Sequence, residues 1–197
     1  RFGDPKTISL ISIHEHDIPT DFSRDAIALA EAAKPVGLGE RTDLRQLPLV
    51  TIDGEDARDF DDAVFAAPDS DPGNPGGFRL IVAIADVAHY VRPDDALDRE
   101  AQQRGNSVYF PDRVVPMLPE ALSNELCSLR PNQDRACLAV EMTIDRHGKK
   151  LRHRFMRGLM RSVARLTYEQ VQRARDGATD GITAPLMDEV IAPLYGA

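Results

Sequence analysis

The densest group of chemically active side chains in the sequence is a run of acids between two apolar segments. Six carboxylates fall between positions 53 and 62 with a single base, Arg58, and they belong to Asp53, Glu55, Asp56, Asp59, Asp61 and Asp62. Clustered carboxylates repel one another, and the pKa of at least one rises unless a cation neutralises the group. Mg²⁺ takes hard oxygen ligands, and a pair of such ions can hold both oxygens of a phosphodiester displacement. The cluster therefore predicts a magnesium site at Asp53, Asp59, Asp61 and Asp62.

The elements that must position these acids are two strands, predicted over residues 47–53 and 61–67. In a regular strand Asp59 and Asp61 would point to one face and Asp62 to the other. The four aspartates can converge only if residues 54–60 form a loop with a bend near Asp61. Gly54 is placed to permit that turn.

Three other interpretations compete for the acidic run. A calcium loop of the EF-hand type requires a glycine and a spacing that Asp62-Ala63 does not provide. The Asp59-Phe60-Asp61 pair is similar to a haloacid-dehalogenase-type phosphatase only locally, because residues 54–58 are polar rather than strand-like. A solvated acidic turn is the better interpretation for any one carboxylate, but not for four at this spacing between core strands.

Composition and charge narrow the class of protein. With 42% hydrophobic and 28% charged residues over 197 positions, the chain is predicted to be globular. The net charge of −8 argues against a nucleic-acid-binding surface, yet residues 146–165 hold eight Lys/Arg and no acid. A β-hairpin with a solvated basic face is favoured there over an RNA-backbone contact. No apolar run reaches membrane-spanning length, and no signal peptide opens the sequence.

The two cysteines, Cys127 and Cys137, form no CxxC pair, so a reduced, cytoplasmic setting is expected, with a single disulfide as the alternative. Because residue 1 is Arg, we interpret the sequence as a piece of a longer protein, with a trimmed domain as the alternative.

Periodicity and turn signals predict an α+β fold with a mainly antiparallel sheet and packed helices. Residues 8–13 are predicted to be extended, and residues 35–46 to be an exposed linker. A hairpin is expected from residues 61–67 and 78–87 around a Pro/Gly-rich loop. Further strands are predicted at 107–110, 136–145 and 151–163, and helices at 23–34, 93–104, 121–129, 168–175 and 185–195. Thr167 and Gln170 form a capping box for the helix at 168–175.

The segment from Leu49 to Val64 resembles the motif that opens the RNB catalytic domain of the ribonuclease II/ribonuclease R family. Four later segments resemble further family blocks in the same order, at residues 84–91, 106–111, 118–129 and 165–171. The resemblance begins near residue 44. It implies that residues 1–43 are the tail of a preceding OB-fold region with one helix, and that residues 44–197 are the N-terminal half of the catalytic domain.

The resemblance implies a hydrolytic, processive 3′-to-5′ exoribonuclease that uses Mg²⁺ on single-stranded RNA and releases nucleoside 5′-monophosphates. It implies a monomer without a membrane segment or an organic cofactor. Asp53 and Asp62 match metal ligands, Asp59 helps to hold the metals, and Asp61 orients or deprotonates the attacking water. Tyr109 matches a tyrosine that stacks on the 3′-terminal nucleotide; without the resemblance it would be assigned to the core beside Phe110.

The resemblance covers only the first half of the RNB domain. An arginine near the scissile phosphate, a second stacking aromatic residue and the flanking OB folds belong to other parts of family members, so these 197 residues alone are expected to hydrolyse RNA poorly or not at all. A non-catalytic RNA-binding or regulatory relative is the alternative, and a metal-dependent phosphatase is a weaker one. Glu55 and Asp56 are assigned as solvated acids, His14 and His16 to the surface, and His89 to packing.

Overall fold

The computed structural model describes residues 5–197, which fold into two compact units. One unit consists of residues up to 34 together with residues 87–125, and the other of residues 35–86 with 126–197. Within residues 5–197, none of the helices is long and apolar enough to span a bilayer.

The strands are β1 (Thr42–Asp43), β2 (Val50–Asp53), β3 (Asp62–Pro68), β4 (Phe78–Ala85), β5 (Val108–Tyr109), β6 (Val114–Val115), β7 (Asp134–Ile144), β8 (Lys150–Arg161) and β9 (Ala164–Thr167). The α-helices are α1 (Pro5–Glu15), α2 (Arg24–Ala32), α3 (Val87–Tyr90), α4 (Ala96–Arg104), α5 (Tyr168–Arg175) and α6 (Ala192–Gly196). Two π-helical segments cover Ala121–Leu126 and Met187–Ile191, and a 3₁₀ turn covers Ala184–Leu186.

The larger unit is built on a seven-stranded sheet in the order β1-β8-β7-β4-β3-β2-β9. The central run from β2 through β3, β4 and β7 to β8 is antiparallel, whereas β1 joins β8 and β9 joins β2 in parallel. The predicted hairpin is confirmed as β3 and β4, and the pairing of β7 with β8 is confirmed as well. The α+β class with a mainly antiparallel sheet is therefore correct.

The core beside the site lies where β2 and β9 meet the C-terminal helices. Its buried members are apolar side chains from β2, β9, α5 and the Met187–Ile191 segment: Val50, Ala164, Leu166, Val171, Ala174, Val190 and Ile191. The capping box that starts α5 is present, with the Thr167 hydroxyl accepting from the Gln170 amide and the Gln170 side chain accepting from the Thr167 amide. This packing fixes β9 against β2.

The smaller unit holds α1, α2, α3, α4, the Ala121–Leu126 segment and the two-stranded β5–β6 ribbon. Ser23 caps α2, because its side chain accepts a hydrogen bond from the Ala26 amide, as Ser commonly does at a helix N-terminus. The Arg104 guanidinium donates to the carbonyls of Pro19 and Asp21 and stacks over the Phe22 ring at 3.7 Å. These contacts tie the segment before α2 to the end of α4.

Two sequence expectations about the N-terminal quarter are wrong. Residues 8–13 are helical within α1, and Ile8, Leu10 and Ile11 stay exposed, so the apolar run lies on a helix surface instead of filling a strand. Residues 35–46 are not a simple exposed linker, because they contain β1 and the buried Leu44.

Arg41, in the same segment, forms a buried ion pair with Asp86 at 2.7 Å. Their side chains are only 10% and 3% exposed, so this pair joins the residue before β1 to the residue after β4 within the sheet unit. A polar sequence without periodicity gave no local sign of that long-range contact.

Two further predictions need smaller corrections. The helix expected at 185–195 is a succession of 3₁₀, π and α segments, and Pro193, in its interior, lacks the backbone donor that one continuous α-helix would need. Cys127 and Cys137 are buried free thiols, so the alternative of a disulfide between them is not realised.

Candidate active site

The four aspartates singled out in the sequence lie on one loop and the two strand ends that it joins. Asp53 is the last residue of β2 and Asp62 the first of β3, while Asp59 and Asp61 lie in the connecting residues 54–61, which belong to neither strand. The expected loop is therefore present. Because β2 and β3 are antiparallel neighbours that meet at Val50 and Val64, the strand ends that bear Asp53 and Asp62 lie side by side.

The electrostatics show that these carboxylates act on one another. Removal from water, followed in order by the negative charges of Asp59, Asp62 and Asp53, raises the pKa of Asp61 to about 6. Burial, followed by the charge of Asp53, raises the pKa of Asp62 as well. Both residues are exposed overall, so it is the immediate surroundings of the carboxyl groups, not deep burial, that disfavour the charge. The structure thus brings all four predicted carboxylates into one electrostatic group.

The second half of the loop is anchored to the buried segment that precedes β7. The Ser128 hydroxyl accepts from the Phe60 amide at 3.1 Å and donates to the Arg58 carbonyl at 3.4 Å. The Leu129 amide donates to the Phe60 carbonyl at 2.8 Å, and both Ser128 and Leu129 are essentially inaccessible to solvent. These bonds fix the backbone between Asp59 and Asp61. Sequence reasoning did not single out Ser128, because a serine 68 positions away carries no local signal.

At the beginning of the loop, the structure does not show the conformational need for glycine that was expected at Gly54. The Gly54 amide donates to Asp53 Oδ1 at 2.8 Å, which orients that carboxylate along the chain. The backbone of Gly54 is not left-handed, and an added Cβ would meet no atom within 4 Å. The turn therefore does not depend on glycine at this position.

The chemistry of the donor set indicates which cofactor would fit. Within residues 5–197, no three His, Cys, Asp or Glu side chains are arranged so that they could hold a metal ion as they stand. The cluster nevertheless consists only of carboxylates, and every charge that acts on Asp61 is acidic. Such a group fits a hard cation such as Mg²⁺, whereas zinc sites usually include His or Cys ligands.

Tyr109 belongs to the smaller unit, in β5, where it pairs with Val114 of β6. Its side chain is 63% exposed, which excludes the alternative of a core tyrosine. Of the other residues considered, Glu55, Asp56, His14 and His16 are exposed.

The basic segment at residues 146–165 contains the whole of β8. Its first half, Lys150 to Phe155, is exposed, as expected for a hairpin with a solvated basic face. Part of its charge is paired, since Arg154 lies 3.3 Å from Glu141 and Arg161 lies 2.7 Å from Asp134.

Fold and site together define an α+β domain organised around a loop of clustered carboxylates. In a comparison with known protein families, the RNB domain family matches residues 41–195. Ribonuclease R of Vibrio parahaemolyticus is 54% identical over 171 residues, which cover 85% of this chain and 20% of the relative. Ribonuclease R of Escherichia coli is 49% identical over 174 residues, covering 86% of this chain and 21% of the relative.

A solved structure has the same fold. Mycoplasma genitalium RNase R in complex with ribose-methylated single-stranded RNA superposes with a TM-score of 0.87 and 31% identity, covering 98% of this chain and 30% of that one. The chain belongs to the RNB domain family, and it spans about a fifth of the length of the ribonuclease R relatives it matches.

Proposed function

We propose that these residues act within a longer protein that is a hydrolytic, processive 3′-to-5′ exoribonuclease. Its substrate is single-stranded RNA and its products are nucleoside 5′-monophosphates. The observation that carries the proposal is the loop between β2 and β3, where burial and the charges of neighbouring aspartates raise the pKa of Asp61 and of Asp62 in a chain of the RNB family. The similar RNase R from Mycoplasma genitalium, which was solved with single-stranded RNA, supports the choice of substrate.

The position of each aspartate indicates its role in metal binding or in proton transfer. Asp53 and Asp62, at adjacent strand ends, and Asp59, on the loop, would hold magnesium ions. When bound, two Mg²⁺ ions would stabilise the charge that develops on the attacking and leaving oxygens of the phosphodiester. Asp61 would orient the attacking water and accept its proton on a carboxylate oxygen as the water oxygen bonds to phosphorus and the bond from phosphorus to the 3′ oxygen breaks.

The exposed ring of Tyr109 would stack on the 3′-terminal base, because an aromatic face binds any base without reading sequence. The 197 residues alone would hydrolyse RNA poorly, because an arginine and a second aromatic residue that complete the site in the family lie outside the matched half. We further propose that the whole protein is a cytoplasmic monomer.

The test is Asp61→Asn in the full-length protein, assayed with a 5′-labelled oligoribonucleotide in the presence of Mg²⁺. We expect turnover to fall by about 10²–10⁴-fold, the usual contribution of a positioned general base. RNA binding, measured by fluorescence anisotropy, should persist because Asn keeps the shape of the side chain. Asp56→Asn is the matched control, because Asp56 is exposed on the same loop and is not among the carboxylates that act on Asp61.

Three outcomes would contradict the proposal. Near-wild-type turnover by Asp61→Asn would remove the role given to Asp61. RNA binding without Mg²⁺-dependent cleavage by the wild-type protein would identify a non-catalytic relative. Faster hydrolysis of p-nitrophenyl phosphate than of the oligoribonucleotide would identify a phosphatase.

A further inference from the structure

Arg165 lies in β9, on the strand that pairs with β2 and therefore beside the start of the acidic loop. The parallel register places Arg165 opposite Thr51, two residues before Asp53. The residue is half-buried, and its neighbours Ala164 and Leu166 belong to the buried core beside β2. The backbone of Arg165 is thus fixed, and its side chain reaches the loop from a rigid base.

The guanidinium contacts both ends of the loop. Its Nη2 donates to the Gly54 carbonyl at 2.9 Å and to the Glu55 carbonyl at 2.5 Å. The same group lies over the ring of Phe60, with Cζ 5.3 Å from the centroid. Gly54 directly follows Asp53, and Phe60 separates Asp59 from Asp61. We propose that Arg165 is a positioning residue that clamps this loop and thereby sets the separation of the four aspartates.

Neutralisation of the acids does not explain these contacts. Arg165 forms no salt bridge within residues 5–197, and the charges that act on Asp61 are all acidic. Its hydrogen bonds go to backbone carbonyls, so the side chain acts on the path of the chain. A guanidinium suits that task because it is planar and presents several donors together with a face that stacks on an aromatic ring.

The clamp has a cost that a purely structural residue would avoid. Arg165 Nε is buried and has no hydrogen-bond partner among the described residues. A buried unpaired donor destabilises the fold, because its lost hydrogen bond to water is not replaced. If the position served packing alone, an apolar side chain would be the more stable choice. We therefore attribute the arginine at this position to the two Nη2 hydrogen bonds and the ring contact, which hold the loop in place.

The first half of the loop also borders open space, which increases its dependence on Arg165. Glu55 and Arg165 line an open cleft of about 940 Å³ together with residues of α5. The second half is held by Ser128 and Leu129, whereas in the first half Arg165 donates to the carbonyls of Gly54 and Glu55, and the Ala57 amide also donates to the Gly54 carbonyl at 3.2 Å. Loss of the guanidinium should free residues 54–57 and, through the lost contact with the Phe60 ring, loosen the loop up to residue 60 while the sheet stays folded.

The inference rests on the proposed metal site, and the experiment separates the two. In the full-length protein, Arg165→Gln and Arg165→Lys would be compared with Arg173→Gln, which removes an equal charge from an exposed residue lining the same cleft. Mn²⁺ affinity would be measured by titration calorimetry, with Mn²⁺ as the probe for a hard cation. Amide hydrogen exchange would be measured without metal on residues 54–60, β2 and β9.

We expect Arg165→Gln to weaken Mn²⁺ binding about tenfold, the lower end of the effect of removing groups that orient metal ligands. Arg165→Lys should weaken it by a smaller factor, because an ammonium keeps the charge but cannot span both carbonyls and the ring. Arg173→Gln should stay within twofold of wild type. Exchange should accelerate at residues 54–60 and remain slow in β2 and β9.

Each remaining outcome decides one claim. Unchanged exchange at residues 54–60 in Arg165→Gln overturns the clamp, whatever the metal data show. Wild-type Mn²⁺ affinity in that variant, beside normal binding by wild type, overturns the clamp and leaves the proposed function intact. Failure of the wild-type protein to bind Mn²⁺ overturns the metal site, and the exchange data still test the clamp. If Arg165→Gln does not fold, the Arg165→Lys data decide, and exchange equal to wild type in that variant overturns the clamp.

Discussion

Replacing Asp61 with Asn should stabilise the metal-free chain at neutral pH, although Asp61 is assigned to catalysis. The folded protein raises the pKa of Asp61 from 3.8 to about 6 by desolvation and by the charges of Asp59, Asp62 and Asp53. Taken at face value, that shift corresponds to about 3 kcal/mol of destabilisation when the group is ionised. Because Asp61 is substantially exposed, solvent screening reduces the expected effect to about 1 kcal/mol. For a chain of this size that is a rise of about 2–4 °C in Tm.

The pH dependence follows from the direction of the shift. Below about pH 4, the model-compound range for Asp, the Asp61 carboxyl is largely protonated in both the folded and unfolded states, so it contributes no penalty. As pH rises toward 6, the unfolded state ionises first and stability is progressively lost. Above pH 6 the loss is complete. Asn cannot ionise, so the advantage of Asp61→Asn should appear between pH 4 and 6 and remain constant above that range.

The measurement is thermal unfolding followed by circular dichroism at 222 nm, from pH 4 to 8, with EDTA present. Asp56→Asn controls for the removal of one negative charge from the same loop and should change Tm little. Adding Mg²⁺ should reduce or reverse the advantage of Asp61→Asn, because a bound cation relieves the repulsion in the wild-type protein. A variant that is less stable than wild type at pH 7.5, or an advantage equally large at pH 4, would refute the electrostatic account.

Three further predictions concern the stability of the fold, independently of function, and can be checked by urea unfolding. Gly158→Ala places a Cβ 2.7 Å from Leu44 Cδ1 and should cost about 1–3 kcal/mol, whereas Gly54→Ala, with open space around it, should change stability by about 0.5 kcal/mol or less. Thr167→Ala removes the capping box of α5 and should cost about 1 kcal/mol. Arg41→Gln leaves the buried Asp86 carboxylate with only its more distant ion-pair partner, Arg157 at 3.8 Å, and should cost about 1–3 kcal/mol; stability equal to wild type would show that Arg41 is not needed to compensate the buried charge.

Much of the sheet could be predicted from the sequence because its signals are local. The hairpin of β3 and β4 joins two apolar runs across a loop rich in Pro and Gly, and β7 and β8 join across a short turn. The capping box at Thr167 is equally local, since its two hydrogen bonds span three residues. In each case neighbouring residues determine the structure, so a short stretch of sequence contains the information.

Two of the strands that were missed, β1 and β9, depend on distant partners, whereas the missed β6 pairs with the nearby β5. β1 contains two residues and exists because it pairs in parallel with β8, more than a hundred positions away. β9 contains four residues, and its pairing with β2 spans a similar distance. Neither strand is long enough to show a periodic pattern. The helix α1 was missed for a different reason, because its apolar residues lie close together between serines and three of them are exposed, a pattern that a short strand also produces.

In the candidate site, too, the features that depend on neighbouring residues could be predicted, and those that depend on distant residues could not. The positions of the four aspartates could be predicted because the repulsion of clustered carboxylates is a property of ten consecutive residues. The contacts that shape their loop come from Ser128, 68 positions from its partner Phe60, and from Arg165, 111 positions from Gly54. A serine or arginine at such a distance is indistinguishable in sequence from a solvated one. Arg165 becomes informative only once the parallel pairing of β9 with β2 brings it beside the acids, and Ser128 only once its hydrogen bonds to Phe60 and Arg58 are seen. Chemical identity in this site is therefore encoded locally and its geometry at long range, so a substitution at Arg165 or Ser128 can disturb the carboxylates without altering any of them.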